Sequence, residues 1–569
     1  MSLTAFAAQR ARLVIDTLYQ QGISHFCIAP GSRSTPLALA IGEHPKVQAS
    51  VHFDERGLGF YALGLSKSLS YAPVVLLVTT GTAVANLFPA LMEAHASRVP
   101  LLLLSADRPP ELRDCGANQT ADHIKIFSSC IRWEIDLALC DSMASDAYIA
   151  STLAYAVDRC LHAPKGPVHI NCIIREPFIH TSPLEEYFHT SCSYEPGQPI
   201  PMESSFLKWG KLLSKAEKGV ILLGSDALAE QDIKPFLQLA EKLQWPIISD
   251  IISGGRQIGN HLCHIQHAEL VLSSVKAHAD VILQIGNRFV SKAILQWIQS
   301  QNAPYFLVTD HPLRQDPLHK VSYRMECKTD LFCNLLLPHL SSATSCSWIS
   351  LWKNAAIAVS QALQIHFEES QTISEPALFF FLQEKASDYS LYLSSSMPIR
   401  DADLLLYPAK GSCQIFSNRG VSGIDGNIAT AAGIARGLQK PLIALLGDLA
   451  TLHDLNSFAL VHKSNSPTFL IVINNQGGGI FSFLPVAEKK ELFESLIATA
   501  HDYSFEHVAK MFSLPYYKVT SWEQWQSTWN TAQERGNSCL IEYCTERTLN
   551  VEHHTLIKEA AKKAFYAFL

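Results

Sequence analysis

Short apolar runs recur along the chain, each bounded by Gly, Pro or Asp. HFCIAP, APVVLLVTT, PLLLLSAD and GPVHINC mark the first third. GVILLG, WPIISD, ADVILQIG and PYFLVTD mark the middle, and PLIALLGD, TFLIVINN and SCLIEYC the end. Runs of this length, rich in leucine and β-branched residues, read as strands buried on both faces, as in a parallel sheet. Amphipathic stretches of helix length lie between them, such as ERGLGFYALGLSKSL and DIKPFLQLAEKL. This alternation predicts an α/β fold with right-handed crossovers.

Two stretches interrupt the alternation. Residues 180–205 are rich in Pro, Ser and Glu, and residues 337–347 are small and polar. Both read as linkers. They predict three doubly wound parallel-sheet domains, 1–185, 206–337 and 350–569. A chain of 569 residues is too long for one ordinary core, which agrees with several domains.

Composition narrows the function classes. The apolar fraction of 48% and charged fraction of 17% describe a globular chain with large interiors. The formal charge of −7 argues against a nucleic-acid partner, which calls for a basic face. The 14 cysteines form no C-x-x-C pair and read as reduced thiols of a cytoplasmic protein. No run reaches the roughly 18 apolar residues of a membrane helix. The N-terminus, with Gln9, Arg10, Arg12 and Asp16 among apolar residues, reads as an amphipathic helix and not a secretion signal.

The clearest chemistry lies near the C-terminus. PLIALLGD ends in Gly447 and Asp448, and TFLIVINN ends in Asn474 and Asn475, one helix-length crossover later. Both endings are expected at the carboxyl edge of a parallel sheet, where ligands bind. Mg²⁺ takes oxygen ligands and keeps phosphate oxygens in its shell. Asp448 offers a carboxylate, Asn475 an amide oxygen, and Gly477 a backbone carbonyl from the Gly477-Gly478-Gly479 turn. Either dipeptide alone is an ordinary strand-end turn. The Gly-rich run before Asn427 is expected to feed a helix whose N-terminus faces an anion. Asp454 reads as a residue that caps or orients the loop.

GDLATLHDLNSF followed by IVINNQGGGIF resembles the metal and diphosphate motif of thiamine diphosphate enzymes. The resemblance implies thiamine diphosphate with Mg²⁺ or Mn²⁺, and three α/β domains of that enzyme type. Such enzymes need one carboxyl in an apolar place, hydrogen-bonded to the cofactor's pyrimidine ring. Glu55, at the junction of VQASVHFDE and the following helix, is the candidate. The same residue type is also an ordinary first-turn Glu. In these enzymes the Glu comes from one subunit and the diphosphate is held by another, so a homodimer at least is implied, and a homotetramer is frequent.

PGSRSTPLALA, HFDERGLGFYALGLSK, the RPPEL…GANQTADH block, SNRGVSGIDGNIATAAG and NNQGGGIFSFLP occur in order. Together they closely resemble the 2-succinyl-5-enolpyruvyl-6-hydroxy-3-cyclohexene-1-carboxylate synthase family, from end to end. That family decarboxylates 2-oxoglutarate and adds the four-carbon unit 1,4 to isochorismate in menaquinone biosynthesis. Both substrates are dianionic, which suits arginine forks. By motif position, Ser32, Arg33, Gln119, Lys292, Ser396, Arg400 and Arg419 resemble substrate-contacting residues. Ser32, Arg33 and Ser34 are expected at a helix N-terminus, with Pro36 in its first turn. Thr82 and Asn118 are expected beside the cofactor, Ile424 as its apolar prop, and Ile480, Phe481 and Leu484 as pocket wall beyond Gly479. The chain departs from the family's usual residues at Ala293, Ser395 and Gln476.

Other readings have less behind them. His261, Cys263, His264 and His267 fit no standard zinc spacing. His553 and His554 read as surface residues. The middle domain lacks a strict G-x-G-x-x-G and is expected to carry no nucleotide. Rival functions are an acetohydroxyacid synthase or 2-oxoacid decarboxylase, and a non-catalytic relative.

Overall fold

All eleven apolar runs are strands in the computed structural model. It describes residues 3–180, 192–195, 197–228, 232–274, 277–343, 345–370, 372–408, 413–464 and 466–568. The first sheet contains β1 (His25–Ile28), β2 (Gln48–Val51), β3 (Val74–Val78), β4 (Leu101–Asp107), β5 (Trp133–Leu137) and β6 (Val168–Ile173). The second contains β7 (Gly219–Leu223), β8 (Ile247–Ser249), β9 (Val281–Ile285), β10 (Tyr305–Thr309) and β11 (Tyr323–Glu326). The third contains β12 (Ser390–Leu393), β13 (Ile415–Phe416), β14 (Leu442–Gly447), β15 (Thr468–Asn474), β16 (Tyr516–Val519) and β17 (Cys539–Cys544).

The strand orders are β2-β1-β3-β4-β6-β5, β11-β10-β9-β7-β8 and β13-β12-β14-β15-β17-β16. Every pairing is parallel. The central strands are buried along their length: β3, β4, β6, β7, β9, β10 and β15 have no exposed residue. Parallel strands need crossovers, and helices supply them on both faces.

Of the first linker, 181–191 and 196 lie outside the described residues. Its end is helical, because the helix Glu203–Leu213 starts inside it. Of the second, residue 344 lies outside, a 3₁₀ turn spans Leu337–His339, and the helix Ser347–Ser370 begins at its end. The amphipathic N-terminus is the helix Leu3–Gln20.

The first and third domains meet through two helices, Glu55–Ser68 and Asn427–Leu438. Glycines let their backbones touch. A Cβ on Gly64 would lie 2.1 Å from the Thr430 carbonyl oxygen, and one on Gly433 2.1 Å from that of Tyr61. Leu58, Leu65, Ile428 and Ile434 are fully buried around this contact. Each such side chain contributes about 2 kcal/mol of burial free energy.

Candidate active site

The register of the third sheet builds the metal end. Gly447 pairs with Ile473, so Asp448 and Asn475 leave neighbouring strands side by side. Asp448 is 2% exposed and opens the short helix Asp448–His453. Its Oδ2 accepts from the Gly477 amide at 2.9 Å, and its Oδ1 from the Leu449 amide at 2.6 Å. The His501 Nε2 lies 3.4 Å from Oδ2. The Gly477 φ of +145° suits glycine alone, and a Cβ there would strike the Ala498 carbonyl oxygen at 2.6 Å. The Gly478 amide donates to that same carbonyl at 2.7 Å.

Asn475 carries the decisive observation. Its Nδ2 donates to Glu375 Oε1 at 2.8 Å. Its Oδ1 is buried and has no hydrogen-bond partner. An orphaned buried acceptor costs about 1–3 kcal/mol unless something binds it. A carboxylate, an amide oxygen and a glycine carbonyl make the oxygen set that a hard divalent cation takes, so the residues fit Mg²⁺ with a diphosphate. Among the described residues no cluster of three or more His, Cys, Asp and Glu forms another metal site.

The expected anion site at the next helix is different. The amide of Ala429, in the first turn of Asn427–Leu438, already donates to Asp454 Oδ2 at 3.0 Å. Asp454 also accepts from Ser457 Oγ at 2.7 Å, and burial pushes its carboxyl up to about 6. The acid answers that helix dipole from inside the protein. Asp454 is therefore the cap and loop anchor that its position suggested. Ile424, in the preceding loop, is 41% exposed.

Arg419 sits on a loop held by all three domains. Lys67, buried, donates to the Ser417 carbonyl at 2.8 Å and to Asn418 Oδ1 at 2.9 Å. The two oxygens of buried Glu93 accept from the Gly420 and Val421 amides, both at 2.7 Å. Arg288 donates to the Gly420 carbonyl at 2.8 Å. Arg419 itself is half-buried, and its guanidinium feels Arg400 and Asp250. Ser396 precedes the helix Met397–Leu405 with φ +75°, an uncommon angle for serine, and Arg400 folds back onto its carbonyl. Lys292 is exposed at the start of the helix Lys292–Ser300. The preceding Ser291 donates to Glu269 at 2.6 Å, and Glu269 also faces Arg400. These contacts bring Lys292, Ser396, Arg400 and Arg419 to one region.

A second group lies at the carboxyl edge of the first sheet. Ser32, Thr82, Asn118 and Gln119 are exposed there. Gln119 adopts φ +54° and donates from Nε2 to the Thr80 carbonyl at 3.1 Å. Arg108 donates to the Gln119 carbonyl at 2.6 Å and to Thr80 Oγ1 at 3.1 Å. Arg33 differs from its expected free fork. It is 5% exposed, donates to the Ile174 carbonyl at 2.5 Å and to Glu176 at 3.4 Å, and lies over Phe178. Only its Nε is left without a partner.

Glu55 is half-buried at the first position of its helix, which Asp54 caps by accepting from the Arg56 and Gly57 amides. Asp54 also accepts from Asn456 at 2.9 Å, and Arg56 donates to the His453 carbonyl at 2.7 Å. Glu55 between them accepts from Asn86 Nδ2 at 3.4 Å. Ile480 is half-buried, and Phe481 and Leu484 are exposed, in and after the turn Gly479–Phe483.

Glu375, His501, Lys67, Glu93, Arg108 and Arg288 were not singled out from sequence. The Glu375 carboxyl is raised above its usual range by burial first, then by Asp401 and Asp448. His554, read as a surface residue, is buried with its Nε2 2.9 Å from Asp401 Oδ1. His261, His264 and His267 turn to three separate partners, Glu241, Ser249 and the Leu404 carbonyl.

Comparison with known proteins shows what the chain is similar to. The N-terminal thiamine pyrophosphate binding domain matches residues 9–126, the middle domain of thiamine pyrophosphate enzymes 186–389, and the C-terminal thiamine pyrophosphate binding domain 404–543. A benzoylformate decarboxylase from Polynucleobacter necessarius shares the fold, with a TM-score of 0.69 at 14% identity over 95% of this chain and 98% of that one. A 2-succinyl-5-enolpyruvyl-6-hydroxy-3-cyclohexene-1-carboxylate synthase from Salinibacter ruber is 37% identical over 97% of this chain and 96% of its own length. The enzyme of that name from Rubrobacter xylanophilus is 37% identical over 97% and 98%, and that from Bacillus cytotoxicus 33% over 95% and 94%. Similarity of this extent, on a chain that folds as three thiamine diphosphate enzyme domains, makes it a member of the 2-succinyl-5-enolpyruvyl-6-hydroxy-3-cyclohexene-1-carboxylate synthase family.

Proposed function

We propose that the chain decarboxylates 2-oxoglutarate and joins the remaining four carbons to isochorismate by 1,4-addition. The products are 2-succinyl-5-enolpyruvyl-6-hydroxy-3-cyclohexene-1-carboxylate and CO₂, a step of menaquinone biosynthesis. The similarity to synthases of that name over 97% of the chain supports the reaction, and the orphaned Asn475 Oδ1, buried beside Asp448 and the Gly477 turn, is the observation that carries its cofactor site. When bound, thiamine diphosphate supplies a nucleophilic thiazolium carbon and an electron sink for the decarboxylation.

The protein's own residues do the rest by binding and orientation. Asp448, Asn475 and Gly477 hold Mg²⁺ or Mn²⁺ and through it the diphosphate. Gly447 and Gly479 keep the backbone close. Glu55 holds a proton against the pyrimidine ring, from the neighbouring subunit. The working unit is accordingly a homodimer at least, or a homotetramer. Thr82, Asn118, Ile424 and Ile480 line the cofactor. Ser32, Gln119, Lys292, Ser396, Arg400 and Arg419 orient carboxylates, and Phe481 and Leu484 exclude water. Arg33 acts by bracing its loop onto the Ile174 carbonyl, because its fork is already engaged. All fourteen cysteines are free, which supports a reducing, cytoplasmic setting.

The direct test is product mass. The chain, supplied with 2-oxoglutarate, isochorismate, thiamine diphosphate and Mg²⁺, is expected to form the adduct, and to form none without cofactor or metal. Decarboxylation with no isochorismate adduct would assign the chain to another 2-oxoacid chemistry.

A further inference from the structure

We infer that Glu375 is a positioning residue that sets the Asn475 amide so that its oxygen, not its nitrogen, faces the metal. The inference deepens the proposed function and rests on its metal site. An Asn side chain is nearly symmetric in shape, and its two ends differ only in what they bond. Nothing in the Asn475 side chain itself decides which end faces Asp448. A wrong turn would aim two N–H donors at a cation.

Glu375 decides it. It opens the helix Glu375–Leu382, which Ser374 caps by accepting from the Ala377 amide. The side chain is 1% exposed. Its Oε1 accepts from Asn475 Nδ2 at 2.8 Å and from Thr545 Oγ1 at 3.3 Å. Both donors converge on one oxygen, which accepts whether or not the other oxygen carries a proton. The Ser374 end of the helix is fixed in turn, because Tyr543 donates to the Ser374 carbonyl at 3.1 Å. Nδ2 is thus claimed from behind by an acceptor, and Oδ1 is left buried and unpartnered on the other side. A partner that holds a metal ligand's other polar end fixes its orientation, and its loss lowers metal affinity about 10–100-fold.

The test is calorimetric titration of the full-length chain with thiamine diphosphate at fixed Mg²⁺, with melting of the metal-free chain as the control. Glu375→Met keeps the bulk and removes the acceptor, so the apparent Kd is expected to rise about 10–100-fold while the metal-free chain still melts in one cooperative transition. Glu375→Gln retains an acceptor oxygen and is expected to stay within about 3-fold of wild type. Wild-type affinity in Glu375→Met, or an equal loss in both variants, overturns the inference. Should Glu375→Met not fold, a crystal structure of the wild-type chain with both ligands decides. Asn475 Nδ2 on Glu375 with Oδ1 on Mg²⁺ supports the inference, and an Asn475 rotated off Glu375 refutes it. If the wild-type chain takes up no thiamine diphosphate with Mg²⁺, the proposed function fails instead, and the two failures are distinct.

Discussion

Asp448 has no neutral substitute in its position. It is nearly fully buried, and two amides and an imidazole point at its oxygens. Asp448→Ala removes the one carboxylate offered to the cation and is expected to abolish Mg²⁺-dependent uptake of thiamine diphosphate, read by calorimetry. Glu55→Gln is expected to leave the fold and cofactor binding intact and to bring turnover close to zero, since an amide cannot hold the required proton. Full activity in that variant would remove Glu55 from the mechanism.

Asp454 gives a pH signature. An acid raised in the fold keeps its proton after the unfolded chain has lost it. Its contribution is fully present below the ordinary carboxyl value of 3.8 and is lost as pH rises through about 6. Above that, the buried carboxylate costs about 3 kcal/mol. Asp454→Asn carries no such charge. Its stability relative to wild type is expected to improve from about pH 4 to about pH 7 by a similar amount, measured by denaturant titration at both ends. A difference independent of pH would contradict the assignment.

The residue scale also shows why the candidate site was half legible. Asp448, Asn475 and Gly477 stand within one local motif, so their spacing exposes them. Glu375 meets Asn475 across 100 residues of sequence, Glu93 meets Gly420 across 327, and Lys67 meets Ser417 across 350. Nothing local marks such partners, because only the packed fold joins them. Arg33 fails in the opposite direction. Its motif was legible, but its fork is taken up by a main-chain carbonyl and an acid of its own domain.

Among elements, the central strands were the legible ones. Burial on both faces forces a continuous apolar run, and each such run is a strand. Five of the six strands that no apolar run announced are edges: β2, β5, β11, β13 and β16. They expose or half-expose much of their length, as WEIDL and YRME show, and one-sided burial leaves a weak pattern. β12 is the exception: it is fully buried, but SLYL is too short to stand out. The helix pair Glu55–Ser68 and Asn427–Leu438 carries a steric prediction. Gly64→Ala would drive a methyl into the Thr430 carbonyl and is expected to cost about 1–3 kcal/mol. Gly42→Ala, in the helix Thr35–Glu43 with open space around it, is expected to stabilise by about 0.5–1 kcal/mol. Thermal melts of the two variants check the contrast, and equal losses would mean that the interhelical contact is not close.

At the scale of the whole molecule, polar contacts tie the three domains into one frame. Arg98 and Tyr71 of the first domain reach Asp226 of the second at 3.0 and 3.1 Å. Arg256 of the second donates to Asp403 of the third at 2.8 Å while lying over the Tyr407 ring. Asp403 also accepts from the Ile251 amide, and Asp250 from the Val290 amide, so residues 250–251 tie the last turn of the Met397–Leu405 helix to the segment before the Lys292 helix. Asp54 and Arg56 bind the segment that follows Asp448 in their own chain, yet Glu55 between them makes no hydrogen bond or ion pair to Asp448, Asn475 or Gly477. Our account joins Glu55 to the metal end of a neighbouring subunit. Co-assembly of Glu55→Gln chains with Asp448→Ala chains tests this most directly, because a mixed dimer then holds one intact site and one doubly damaged site. The account predicts that two separately inactive proteins regain about a quarter of wild-type turnover on random mixing. No recovery from mixed dimers shown to have formed would place Glu55 and Asp448 of one chain in one site, and would contradict it.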